Sequence, residues 1–403
     1  PGGYTPERLF EEGGDAIEAF LNEILTVNLE KSGQTAMITR PADEDRNALS
    51  SPDVASRHFD QGHQNLQAGN FEQAIIDFTQ VITLDPFRAI AYFNRGLAHT
   101  ELGNHEQAIA DYTEAIELDE ITHVLADNDL MAIVYFNRGQ AYYWLDQEEK
   151  AIADFNQVIQ LDPDYPDIYY NRGRAHYWLD QYEQAIADFD QAIELAPDDE
   201  NTYYYRGRAY RQLDEYELAI ADYSKAIELE PEDSRVYNRR GNAYRYMGEY
   251  EQAITDYNQA IDIRPDYALA YRNRGHAHFG SEDFEQAFAD YDRAIELEPD
   301  NANHYFWRAV AYYSQGDYEL AVADYSRTVE LAPDHATARN NLAWTLTSDL
   351  DTDYETALQH AQRAVELVPS SSTQDTLAMV YFKLEQYDQA LEHYSAWSYL
   401  TLI

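Results

Sequence analysis

Five segments written to one design decide the fold: residues 135–145 (YFNRGQAYYWL), 169–179 (YYNRGRAHYWL), 203–213 (YYYRGRAYRQL), 237–247 (YNRRGNAYRYM) and 271–281 (YRNRGHAHFGS). Their glycines (Gly139, Gly173, Gly207, Gly241 and Gly275) stand 34 residues apart. Twelve residues after each glycine comes an alanine (Ala151, Ala185, Ala219, Ala253, Ala287), and twelve further on a proline (Pro163, Pro197, Pro231, Pro265, Pro299). A constant period of this length means small supersecondary units stacked on their neighbours, with no single globular core.

Each unit reads as two helices. Tyr203, Arg206, Gly207 and Tyr210 recur at i, i+3, i+4 and i+7, and Ala219, Tyr223 and Ala226 do the same one helix later. The glycine and alanine positions let the paired backbones approach closely. Pro231 cannot continue a helix and ends the second one, and Asp or Asn after many of the prolines can cap the next. Alternation of period two is absent, so the fold class is all-α, an α-α superhelix of about ten helix-turn-helix repeats.

Working outward, the repeats begin near Ala55. Gly62, Ala74 and Pro86 mark the first, and Gly96, Ala108 and Ala115 the second, in which Glu120 replaces the proline. The next glycine is 43 residues on, so nine extra residues lie within about 120–131. Successive units then span about 132–165, 166–199, 200–233, 234–267, 268–301, 302–335, 336–371 and 372–403. Ala309 and Ala343 replace the glycine in two of these, and two residues are inserted near 348–353. Residues 1–54 differ: an amphipathic helix carries Ile17, Phe20, Leu21, Ile24 and Leu25 on one face, and a polar, flexible linker follows. That helix can cap the first repeat or dock elsewhere. A start without Met or a signal-peptide pattern reads as a trimmed chain or a piece of a longer one.

Charge is the loudest compositional signal, with 74 acidic against 28 basic residues and a net charge of −46. So negative a surface repels phosphate backbones, which argues against nucleic acid as a partner. Of the 28 basic residues only four are lysines. There is no cysteine, which excludes disulfides, thiolate metal sites and cysteine nucleophiles. No apolar run spans a bilayer, and with no signal segment in the chain a cytoplasmic location is favoured. No metal site, phosphate-cradling loop or catalytic triad stands outside the repeat frame, so we expect no cofactor and no enzyme activity. His99, His176 and His278 share a repeat position elsewhere held by tyrosine and read as packing residues.

These repeats resemble the tetratricopeptide repeat family over about Ala55 to the C-terminus. Tyr169, Gly173, His176, Ala185, Phe189, Ala192 and Pro197 carry the signature in one unit. The resemblance implies a right-handed superhelix whose first helices line a concave groove. It also implies a non-catalytic binder of peptides or proteins, in the style of repeat proteins common in bacteria.

An arginine precedes the glycine in most units (Arg95, Arg138, Arg172, Arg206, Arg240, Arg274, Arg308), where the family usually has leucine. Sixteen residues later stands Asp111, Asp154, Asp188, Asp222, Asp256, Asp290 or Asp324. In the unit with Leu342 the partner position is His360, and in the last unit Leu377 faces His393, so the two residues come and go together. We read them as ion pairs of the scaffold.

Setting those arginines aside sharpens the rest. By family analogy, Arg174, Arg208, Arg211, Arg235, Arg239, Arg245 and Arg272 face the groove with Asn171, Asn238, Asn242 and Asn273. Upstream the corresponding positions are aromatic: Phe93, Phe136, Tyr143, Trp144, Tyr170, Tyr177, Trp178, Tyr204 and Tyr205. Guanidinium forks pair with carboxylates and Asn side chains grip extended backbone. The expectation is therefore an adaptor that holds an acidic segment near the arginines and apolar side chains near Trp144 and Trp178. A plainer reading stays open, in which these arginines neutralise acids of the scaffold itself. Two other functions stay open too: a regulatory or targeting arm of an enzyme, and self-assembly through the 1–54 helix or an aromatic tail (Tyr394, Trp397, Tyr399, Leu400). A C-terminal carboxylate clamp would use Arg174, Arg235 and Arg239, but Tyr205 stands where its central Asn belongs.

Overall fold

The computed structural model describes residues 51–122, 128–165 and 167–394. The expected helix at 15–25, most of the linker, the centre of the 120–131 insertion, and Trp397, Tyr399 and Leu400 lie outside the described residues. The first described helix starts at Ser51, so residues 51–54 are helical and not linker. Its opening Ser-Pro-Asp suits a helix N-terminus, where proline loses no hydrogen bond.

Among the described residues the chain is all-helical, in consecutive helix-turn-helix pairs, and contacts divide it into two compact units. The unit up to Pro197 holds α1 (Ser51–Gln67), α2 (Phe71–Leu84), α3 (Ala89–Glu101), α4 (His105–Thr122), α5 (Asn128–Trp144), α6 (Glu148–Leu161), α7 (Ile168–Trp178) and α8 (Tyr182–Leu195). The unit from Asp198 holds α9 (Glu200–Gln212), α10 (Tyr216–Leu229), α11 (Ser234–Tyr246), α12 (Tyr250–Ile263), α13 (Ala268–Gly280), α14 (Phe284–Leu297), α15 (Ala302–Gln315), α16 (Tyr318–Leu331), α17 (Ala336–Trp344), α18 (Tyr354–Leu367), α19 (Ser371–Lys383) and α20 (Tyr387–His393). Within each unit every helix packs on its successor, and first helices of neighbouring repeats also touch, as α5 touches α7 and α11 touches α13. None of the described helices is long and apolar enough to cross a membrane.

The period has a steric cause. In the seven repeats that have the glycine, the second helix sends one aromatic ring, such as Phe189 or Tyr291, wholly into the core. The ring lies against the glycine sixteen residues earlier. A Cβ at Gly173 would meet Phe189 Cε1 at 2.8 Å, and one at Gly275 would meet Tyr291 Cε1 at 2.8 Å. Both separations are too short for any real side chain, so glycine sets how closely the pair closes. Turns inside repeats use left-handed residues, among them Asp180, Asp214, Glu282 and Gly316, which end the first helix and reverse the chain.

The insertions are absorbed by helix geometry. Extra residues near 120–131 lengthen α4 to 18 residues and α5 to 17. Near 348–353 the helix loosens into a π turn, Thr345–Asp349, which accommodates more residues per turn. Left-handed Asp351 and Asp353 then lead into α18.

The Arg–Asp pairs are ion pairs inside the repeat. In all seven, Nε and Nη2 of the arginine donate to the two carboxylate oxygens in a fork, at 2.5–2.9 Å. The same arginines reach one repeat further. Nη1 donates to Thr79 from Arg95, to Thr113 from Arg138, to Asn156 from Arg172, to Ser224 from Arg240, to Asn258 from Arg274 and to Asp292 from Arg308. Each of these six guanidiniums thus ties its own two helices to the second helix of the preceding repeat. The carboxylates are buried while the guanidiniums keep about a fifth of their surface. Burial outweighs the guanidinium at Asp154 and Asp256 and raises both carboxyls. Desolvation therefore consumes much of the Coulombic gain. The first repeat has Gln61 in place of Arg, and there Asn65 and His58 serve Asp77. Where Leu342 replaces the arginine it joins the apolar core, and His360 meets Arg339 at 3.0 Å. His99, His176 and His278 lie 3.8–3.9 Å from Asp111, Asp188 and Asp290, beside the seam.

Candidate functional site

First helices carry the residues singled out from sequence, and the two units treat them differently. In the unit up to Pro197 they turn on one another. Asn171 is buried, donating to the Asp167 carbonyl and accepting from Gln140 of the preceding first helix at 3.1 Å. Trp178 donates its indole N–H to the Tyr143 hydroxyl at 2.7 Å. Arg174 is buried over the rings of Tyr143 and Tyr170, at 4.8 and 5.4 Å. Trp144 stacks on His105 with rings 4° from parallel. Phe93, Phe136, Tyr143 and Tyr177 are buried in packing. Aromatic rings here cover a cation and bridge helices.

In the unit from Asp198, Tyr204 and Tyr205 are buried edge to face, and Arg208, 5% exposed, lies over both rings. Arg211 stacks on Tyr246 and donates to Gln212. Arg235 turns back on Asp233, the cap of its own helix, with Nη2 at 2.8 Å from a carboxylate oxygen. Asn273 donates to Asn238 across α13 and α11 at 2.9 Å, and Asn242 accepts from the Tyr257 hydroxyl. Arg239, one residue after Asn238, acts on the buried phenol of Tyr267, whose pKa burial raises and Arg264 and Arg239 pull down.

Arg245 and Arg272 are of another kind. Arg245 ends α11 with its guanidinium 4.4 Å from the Tyr246 ring, and Arg272 lies in the first half of α13. The Nε of each is buried without a hydrogen-bond partner. Burial lowers the Arg272 pKa, Glu298 opposes that shift and Arg245 adds to it. One turn on from Arg272, His276 receives or donates a hydrogen bond at Tyr291 (2.9 Å) and meets the Trp307 ring at 4.6 Å. His304, 1% exposed at the start of α15, bonds Glu298 through Nε2 at 2.9 Å, and its Nδ1 has no partner. Burial first, then Arg272 and Arg245, hold His276 well below the usual imidazole value. Burial lowers His304 likewise, against the pull of Glu298. The second unit therefore gathers two half-buried guanidiniums and two uncharged imidazoles, with the Glu298 carboxylate beside Arg272 and His304.

His276, His304, Glu298 and Trp307 were not singled out in the sequence. Their signal was faint: His276 occupies a groove position by family analogy, and His304 stands where other units have a small or β-branched residue such as Thr202, Val236 or Ala270.

Stacked helix pairs, tied by a polar seam and showing a row of first helices, define an α-helical repeat protein of the solenoid class. The chain belongs to the tetratricopeptide repeat family. Models described as TPR repeat match residues 139–180, 207–245 and 241–281, and tetratricopeptide repeat models match 89–120, 166–199, 272–336 and 308–372. Similar solved structures include MamA (26% identity over 40% of this chain and 94% of that one, TM-score 0.39). YrrB, a TPR protein with an unusual peptide-binding site, is 25% identical over 48% of this chain and 95% of its own, with a TM-score of 0.41. A tetratricopeptide repeat protein from Parabacteroides merdae is 20% identical over 61% and 93%, with a TM-score of 0.47. No curated protein matches the chain. Family membership supports a protein-interaction scaffold, and proteins of this family are typically not catalysts.

Proposed function

We propose that the chain is a scaffold whose second unit binds an extended acidic protein segment along its first helices, through Arg208, Asn238, Arg239, Asn242, Arg245, Arg272 and Asn273. One observation carries this reading: Arg245 and Arg272 are half-buried cations in each other's field, each with a buried Nε that has no hydrogen-bond partner, in a chain of net charge −46. Burying a charged donor without a partner is costly unless an anion completes it. The seam arginines need no such completion, because Asp already occupies both arms of the fork.

A fluorescent twelve-residue peptide rich in Asp and Glu tests it. Changing Arg208, Arg239 and Arg272 together to Glu should abolish binding with far-UV helicity unchanged. Arg239→Gln with Arg272→Gln, a milder pair, should weaken binding at least tenfold. Binding should also fall steeply with salt. Undiminished binding by the Gln pair would refute the assignment.

A further inference from the structure

We propose that α17 is an acid-released latch, held in place by two imidazoles, His335 and His360, that act as hydrogen-bond acceptors and let go when protonated. The latch is independent of what the first-helix row binds. His335 caps α17, and its Nδ1 accepts from the Ala338 backbone N–H at 3.2 Å. His360, on α18, meets Nη1 of Arg339 on α17 at 3.0 Å. Neither bond can be reversed, since a backbone amide and a guanidinium only donate. Both rings therefore offer an Nδ1 lone pair and carry their proton on Nε2. A protonated imidazole donates from both nitrogens and has no lone pair left. In that state His335 would turn a charged N–H toward the positive end of a helix, and His360 would set a second cation against Arg339.

The Arg–Asp seam of other repeats is missing here. Leu342 stands in the arginine position and joins an apolar cluster, to which α19 adds Leu377 and Val380. α17 is nine residues long, and the π turn Thr345–Asp349 follows it directly. Phe306 of α15 lies 4.7 Å from the His335 ring, and the Tyr325 hydroxyl of α16 accepts from Asn341. The surroundings favour neutral imidazoles. Burial lowers His335, with its own backbone opposing, and burial followed by Arg339 lowers His360, with Asp353 opposing. Arg339 is lowered by burial and by Arg363, against Asp334, and its Nε donates to the Pro333 carbonyl at 2.7 Å. Tyr325, its phenol pushed up to about 12 by burial, stays neutral throughout. Both histidines thus bind a proton less readily in the folded pair than in the open chain, where the value is near 6.5. The pair is fully stable above that value and loses stability as pH falls below it. By about pH 5.5, each histidine that stays unprotonated when folded shifts the opening equilibrium about tenfold, and two together by up to about a hundredfold.

Native-state hydrogen exchange of the full chain, read as protection factors from about pH 7.5 to about 5.5, tests the latch. Residues 200–263, spanning α9 to α12, contain no histidine and serve as the internal reference. Protection across α17 should fall by about tenfold to a hundredfold relative to that reference. His335→Asn caps at any pH, and His360→Gln keeps an acceptor for Arg339. Each single variant should retain about a tenfold fall, and the double variant should track the reference within about twofold. Imidazole nitrogen NMR of the wild-type chain near pH 7.5 reads the two tautomers whether or not the variants fold. Both His335 and His360 should carry the proton on Nε2. A protonated Nδ1 on either neutral ring would overturn the latch, as would wild-type α17 protection that tracks the reference. A fall that survives in the double variant would belong to other groups and overturn it equally.

Discussion

The seam between paired helices and the α11–α13–α15 face use the same side chain to opposite ends. Along the seam, an arginine such as Arg240 is forked onto a buried aspartate and pinned to the preceding repeat, so all three arms bond inside the scaffold. On the face, Arg245 and Arg272 lie half-buried, each with a buried Nε that has no partner, and in each other's field. The lesson is that an arginine count says little in a chain of this kind. What distinguishes scaffold from site is whether an acid stands sixteen residues on.

That contrast can be broken or sharpened by substitution. The largest effect is expected at the seam. Asp222→Ala leaves Arg206 without its fork in a partly buried place and should cost about 3 kcal/mol, toward the low end for a broken buried pair because the guanidinium keeps some solvent. Repeat arrays open locally, so native-state hydrogen exchange across α9 and α10 is a better readout than a single melting curve. Loss spread evenly along the unit would contradict a local tie. Gly173→Ala should cost about 2 kcal/mol, because its Cβ would sit 2.8 Å from Phe189 Cε1 and the α7–α8 pair must part. Denaturant unfolding with α7 and α8 exchange followed in parallel checks it.

The face should show itself through pH. His276 binds its proton less readily when folded than when unfolded, where the value is near 6.5. The unfolded chain therefore takes up the extra proton first, and stability falls as pH drops below about 6.5, with no contribution above it. His276→Gln should flatten the stability profile between pH 7 and 5.5 by about 1 kcal/mol. A profile with unchanged slope would remove His276 from the buried set. The smallest effect is expected from Arg240→Leu combined with Asp256→His, which copies the Leu342–His360 pairing. Replacing both partners should change stability by no more than about 1 kcal/mol, since desolvation offsets most of what the pair contributes. A cost equal to that of Asp222→Ala would show the ion pair to be worth more than its burial.

Much of this fold was legible because its determinants are periodic. Gly, Ala and Pro at constant spacing reported close helix approach and helix ends. The joint loss of Arg and Asp in the unit of Leu342 and His360 marks the two as partners in the sequence itself. The third arm, from Nη1 to Thr79, Thr113 or Ser224, was not legible, because those polar residues differ from repeat to repeat and the bond crosses from one repeat to the next. The candidate site was legible in outline only. Periodicity places Tyr204, Tyr205 and Arg208 on the first-helix row but cannot say that two rings bury the guanidinium between them. Nor could it see that Arg235 folds back on Asp233, a contact two residues away that any helix cap might make or omit. His276 and His304 were not legible, because neither position repeats along the chain and what surrounds them, Arg272 and Glu298, lies on other turns.

The most direct test sets one substitution at both places. Arg240→Leu and Arg272→Leu should be compared by denaturant unfolding of the full chain, each against wild type. Arg240→Leu strands Asp256 and should lose about 3 kcal/mol, whereas Arg272→Leu removes an incompletely bonded buried charge and should be neutral or gain about 1 kcal/mol. Equal losses at the two positions would mean that Arg272 already has what it needs within the scaffold, and the division between seam and face would be wrong.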